Sequence, residues 1–122
     1  MSLREAKKRI RWYRTPVPTA DLAELNKRSD WRGLKQSVGH LALIALTGSM
    51  SWYAVGRLPW IVVALLLFLH GTVYAFIVNG GHELCHKTVF KSKRLNVIFR
   101  DIYSFLGWYN HVFFWTSHQE HH

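Results

Sequence analysis

The chain has 122 residues with 16 Lys or Arg against 7 Asp or Glu, a net charge of +9, and a mean hydropathy of -0.03. The basic residues flank apolar runs and are not interleaved with aromatics, which speaks against nucleic acid and for a membrane surface. A single cysteine, Cys85, excludes an intrachain disulfide and a thiolate cluster for zinc or iron-sulfur.

Residues 1–37 form a basic N-terminal segment, expected on the cytosolic side. Its first 36 residues hold ten Lys or Arg and four Asp or Glu, whereas Val38 to Asn79 carry one charge, Arg57. Ser2 to Arg14 reads as a short interfacial helix, and the two prolines of Thr15-Pro-Val-Pro-Thr19 end it. Asp21 to Gln36 is polar and helical in pattern. No apolar core of signal-peptide type precedes Val38, so no cleaved signal is expected.

The second expected unit is 38–122, an all-α membrane domain. Val38 to Val55 and Leu58 to Asn79 are two apolar runs, and at ~1.5 Å per residue the shorter gives ~27 Å against a hydrocarbon core of ~30 Å. The turn between them is too short to hold a domain, so the runs predict a transmembrane helical hairpin. Ten basic residues before it and five after it, against Arg57 alone in the turn, predict a multi-pass chain with both termini cytoplasmic.

Leu95 to Trp115 is aromatic-rich, with apolar positions at helical spacing and Arg100 and Asp101 among them. It predicts an amphipathic helix lying in the interface. His82 and His86 stand at i and i+4 before it; His118, His121 and His122 stand at i, i+3 and i+4 after it, so each group makes one imidazole face on a helix. Five clustered imidazoles point to a metal. Gly80 and Gly81, just before the first group, allow a kink or a close helix approach.

Taken alone, His82-Glu83-Leu84-Cys85-His86 matches both the zinc protease motif His-Glu-x-x-His and a looser His-x-x-x-His box. A zinc hydrolase keeps three protein ligands and a water, so five histidines exceed its needs. Imidazole ligands suit iron and leave positions open for dioxygen. Glu83 and Glu120 are placed either to orient ligand imidazoles or to face solvent. His70, in the second run, is expected to bond a facing helix; His111 shares the His118 face if the helix continues, and His40 has no assigned role.

A His-x-x-x-His box at the end of an apolar hairpin, an interfacial segment, and then His118-Gln119-Glu120-His121-His122 resembles the membrane fatty acid desaturase and hydroxylase superfamily. The first box with Lys87 is also similar to that of membrane alkane hydroxylases. The resemblance covers roughly Val38 to His122. It implies a di-iron centre that uses dioxygen to attack an unactivated C–H bond of a lipid acyl chain, with His82, His86, His118, His121 and His122 as metal ligands. It also implies membrane lipids as surroundings and an electron donor of cytochrome b5, ferredoxin or rubredoxin type. Family members carry a third box after further membrane helices, absent from these 122 residues, so the chain alone is expected to insert in the membrane but to lack activity. An alkane or lipid hydroxylase, a truncated non-catalytic fragment and an intramembrane zinc protease are the competing readings.

Overall fold

The computed structural model describes residues 15–120. Ser2 to Arg14, His121 and His122 lie outside the described residues. Five helices and no strands make up the described chain: α1 (Thr19–Leu25), α2 (Asp30–Ala54), α3 (Trp60–Cys85), α4 (Lys93–Leu106) and α5 (His111–Glu120). The fold is all-α, as the helical spacing of the apolar residues implies.

The polar stretch from Asp21 to Gln36 does not form one helix. α1 ends at Asn26, whose side-chain amide donates to the Leu22 carbonyl, and a new helix starts at Ser29. The Ser29 hydroxyl accepts from the Arg32 backbone N–H, satisfying one of the unpaired donors of the first turn. Asp30 beside it reaches across the fold and accepts from the Ser92 N–H at 2.8 Å. α2 therefore begins upstream of the apolar run and carries the polar turns 30–37 and that run on one axis.

α2 and α3 pack antiparallel. His40 meets Val73 and Thr47 meets His70 across the seam, and a turn with Gly56 at φ +73° reverses the chain. The buried residues of α2 are small and mostly polar: Gly33, Ser37, Thr47, Ser51 and Ala54, with Gly33 under Phe90, the Ser37 carbonyl bonded to Tyr103 and Thr47 facing α3. Ser51 and Thr47 return their hydroxyls to carbonyls one turn back, so neither is buried unpaired. His70 bonds the facing helix through Thr47 Oγ1 at 2.9 Å, as expected for an imidazole inside an apolar run.

Of the two apolar runs, α3 alone is long and apolar enough to cross a membrane. The polar residues that line the α2 seam, with Trp52 and Tyr53 beyond them, dilute its hydropathy. Only 6% of the most apolar window of α3 is buried within the protein, so Leu65, Phe68 and Phe76 face outward.

The core lies at one end of this helix pair. Ile77, Leu84, Phe90, Phe99 and Tyr103 are buried together there, with Phe90 stacked on Phe99 at 5.0 Å between ring centres. Phe90 sits on Gly33, where any side chain would collide with it. Asn96 holds the loop before α4: its amide donates to the Phe90 and Ser92 carbonyls, and its oxygen accepts from the Phe90 N–H. Buried and fully used, it closes that loop from inside, and an apolar replacement would strand several backbone groups at about 1–3 kcal/mol each.

The apolar segment after Leu95 is two helices, not one. Gly107 ends α4, Trp108 takes φ +54°, and Asn110 starts α5 by accepting from the Val112 and Phe113 N–H groups at 2.9 and 3.2 Å. This break turns α5 back along the end of α3.

Candidate metal centre

The first histidine pair occupies the last turn of α3, with His86 as its C-cap. His118 comes from the last turn of α5. His82 Nε2 lies 3.0 Å from His86 Nε2 and 3.2 Å from His118 Nε2, and one ligand nitrogen from each of the three rings lies within 4.8 Å of the others. All three side chains are half-buried.

Hydrogen bonding serves this arrangement only if one position on His82 Nε2 is shared between two neighbours. A neutral imidazole nitrogen offers one in-plane position, either a proton or a lone pair, and never both. His82 Nε2 approaches two other Nε2 atoms at once, so it cannot donate to one while accepting from the other. A cation among the rings would take a lone pair from each. With metal–nitrogen bonds of ~2.0–2.1 Å, contacts of 3.0–3.2 Å correspond to ligand angles of about 90–105°, within the range from octahedral to tetrahedral sites. The residues fit a metal.

Aromatic rings brace the three histidines. Phe114 stacks on His118 with its ring 5° from parallel and meets His82 edge-on, while Trp115 meets the edge of His86 at 5.2 Å. These contacts fix the ring planes before any metal arrives. Glu83 sits on the far side of His82, its Oε1 3.6 Å from His82 Nδ1, beyond hydrogen-bond length. Its other oxygen accepts from the Thr88 hydroxyl at 3.3 Å. Among the described residues, Glu83 thus stands by the outward nitrogen of His82 and not among the converging Nε2 atoms.

Two close contacts set the position of α3 against α4 and α5. Tyr103 lies on Gly80, and the Tyr109 hydroxyl lies on Gly81, the residue before His82. Burial raises the Tyr103 hydroxyl above the ordinary tyrosine range, opposed by its hydrogen bond to the Ser37 carbonyl, so it remains a proton donor at neutral pH. It also meets His40 Nδ1 at 3.0 Å, while His40 Nε2 points at the Val73 carbonyl, which can only accept. His40 is thereby a structural link among α2, α3 and α4, a role not visible in the sequence. Burial raises Tyr109 as well, followed by a smaller effect of Cys85 and an opposing one of Arg100. Its hydroxyl is the one buried side-chain polar atom without a partner among the described residues.

The remaining expected site residues divide clearly. His118 joins His82 and His86 although 36 residues separate it from His82. His111 opens α5 and lies 3.8 Å from Asp101, away from the three converging rings. Glu120 ends α5, exposed, and His121 and His122 fall outside the described residues. No protein-family model, curated protein or solved structure matches the chain.

Proposed function

We propose that the chain is the N-terminal portion of a membrane-bound, fatty acid desaturase-like di-iron oxygenase acting on lipid acyl chains. The observation that carries this reading is the convergence of His82, His86 and His118, from two separate boxes, at the end of the one helix apolar enough to cross a membrane. Purely imidazole ligands suit iron and leave positions for dioxygen. When bound, iron would supply the oxidant that a C–H bond without an acidic proton requires.

The protein's own contribution is placement. α3 would cross the bilayer with α2 against it, putting the histidines at the membrane surface beside the acyl chains. The aromatic braces hold three imidazoles with their Nε2 atoms inward, and Glu83 places a carboxylate 3.6 Å from the outward nitrogen of His82, from where a small approach would let it accept that N–H and keep the tautomer. Two irons need more ligands than these three. His121 and His122 and a third box supply them in this reading, and Lys87, Lys91, Lys93 and Arg94 form a basic rim for an acidic electron donor.

A zinc hydrolase built on the same first box is the competing reading. It needs the glutamate beside the metal-bound water, whereas Glu83 is tied to Thr88 on the opposite side of His82.

The test is expression in a host lacking its own desaturase, with an electron donor supplied, of the 122-residue chain and of an extended form carrying a third box. New unsaturated or hydroxylated acyl chains are expected from the extended form only. An iron-loaded extended form that leaves acyl chains unchanged, or a zinc-loaded one that cleaves peptides, overturns the proposal.

Orientation is tested separately. In a Cys85→Ala background, an impermeant thiol reagent added outside cells is expected to label Arg57→Cys and to spare Lys91→Cys. Labelling of Lys91→Cys alone would invert the topology, and labelling of both would mean that the pair does not cross the membrane.

A further inference from the structure

A cavity of about 250 Å³, lined by Trp115 but by none of the three converging histidines, lies between the end of α3, α4 and α5. Cys85, Val112 and Trp115 form its apolar wall, and Lys87, Arg100 and His111 bring three nitrogen bases to it. We propose that this cavity binds one anionic oxygen group, a carboxylate or a phosphate, at the head of an acyl lipid.

Charge decides the number of anions. Asp101 Oδ1 accepts from Arg100 Nε and Nη2 at 3.0 and 2.8 Å and lies 3.8 Å from His111, so one of the positive charges is already matched. What is left is the Lys87 ammonium and the Arg100 Nη1 edge, neither with a protein partner among the described residues. That residue of charge suits a single anionic group and is too little for a polyphosphate. Size agrees: at ~30 Å³ per water the cavity holds about eight waters, enough for a headgroup and its first carbons. It falls below the ~300–1,000 Å³ of sites that enclose a whole small molecule, so an acyl chain must leave it along Val112 and Trp115.

The backbone at Lys87 is a second, independent observation. Lys87 takes φ +58°, just past the end of α3, a conformation that favours glycine or asparagine. Its N–H caps the helix by donating to the Leu84 carbonyl, and its own carbonyl accepts from Arg28 at 3.0 Å. Glycine would serve both backbone roles with less strain. A lysine there places a flexible cation at the rim of a cavity already bearing Arg100, which gives the strained position a chemical use.

The inference depends on the membrane part of the proposed function for its ligand and on none of the metal chemistry, so it is tested on metal-free protein. The 122-residue chain in detergent is titrated with oleate, with phosphatidic acid, with inorganic phosphate and with phosphatidylcholine, and binding is read by native mass spectrometry. Lys87→Gly and Arg100→Gln are each expected to weaken binding of the anionic ligands about tenfold, the effect of losing one charge-assisted hydrogen bond. Lys87→Gly relieves the left-handed strain, so its thermal midpoint should equal or exceed that of the parent, separating lost binding from lost folding. Variant-sensitive binding of oleate assigns a carboxylate, of phosphatidic acid a headgroup phosphate, and displacement of both by inorganic phosphate shows that the anion alone is recognised. Binding that is absent, equal for phosphatidylcholine, or unchanged in both variants overturns the site. Loss of metal binding or of acyl-chain chemistry with anion binding intact would count against the oxygenase proposal alone.

Discussion

Replacement of His86 by alanine is expected to lower the affinity for Fe(II) by more than about a hundredfold, since loss of a partner outside the ligand shell already costs ~10–100-fold. His86 Nε2 stands 3.0 Å from His82 Nε2 and close to the His118 ring, so its removal takes away one of the three imidazoles that converge among the described residues. His82→Ala and His118→Ala should behave alike, and His121→Ala should follow them if the second box acts as a unit. His70→Ala is the control. His70 bonds Thr47 in the seam between α2 and α3, so its loss should affect stability and leave metal content unchanged. Elemental analysis after anaerobic loading measures both. A His118→Ala protein with full metal content would show that the two boxes do not share a site, and stoichiometric zinc in place of iron would favour the hydrolase.

The second large effect is expected from one methyl group. Gly81→Ala would drive a Cβ into the Tyr109 hydroxyl, closer than any tolerated contact. Tyr109 cannot easily retreat. Its N–H donates to the Ser104 carbonyl at 3.2 Å, its carbonyl accepts from the Ser104 hydroxyl, and its ring packs on Phe114 at 5.7 Å. Overpacking of this kind costs about 1–3 kcal/mol. Here it also shifts α5, and so His118, relative to His82 next door, so metal affinity should fall with stability. Tyr109→Phe removes a buried hydroxyl without a partner among the described residues and should be neutral or stabilising by about 1 kcal/mol. Combined with Gly81→Ala, it should recover part of both losses. Thermal unfolding in detergent together with metal content reads the pair; a Gly81→Ala protein as stable as the parent would mean that α5 does not bear on this glycine.

Most of the helical architecture and half of the candidate site are local properties, legible because they depend on spacing along one helix. His82 and His86 face one way at i and i+4 whatever surrounds them, and the clean run from Leu58 to Asn79 becomes most of α3, the described helix long and apolar enough to cross a membrane. The weaker run from Val38 to Val55 illustrates the limit of the same logic. Thr47, Gly48 and Ser51 count against a span in hydropathy, yet in the fold Thr47 and Gly48 meet His70 of α3 and Ser51 is buried, and composition cannot tell a helix seam from a polar surface. The break between α4 and α5 had a local signal in Gly107 and Asn110, masked by the aromatic residues between them.

The amino-acid sequence by itself determined the all-α character of the described chain, the apolar run that becomes α3 and the i, i+4 pairing of His82 and His86. Only the tertiary structure decided that His118 meets His82 and His86, that His111 turns instead to Asp101, and that Glu83 lies behind His82 and not among the converging nitrogens. The physical reason is range. Periodicity acts over a few turns of one helix, whereas bringing together rings 36 residues apart requires the reversal at Trp108, the Asn110 cap and the close approach of Tyr109 to Gly81. Each of those contacts depends on the shape of a neighbouring helix, which no spacing rule along the chain contains.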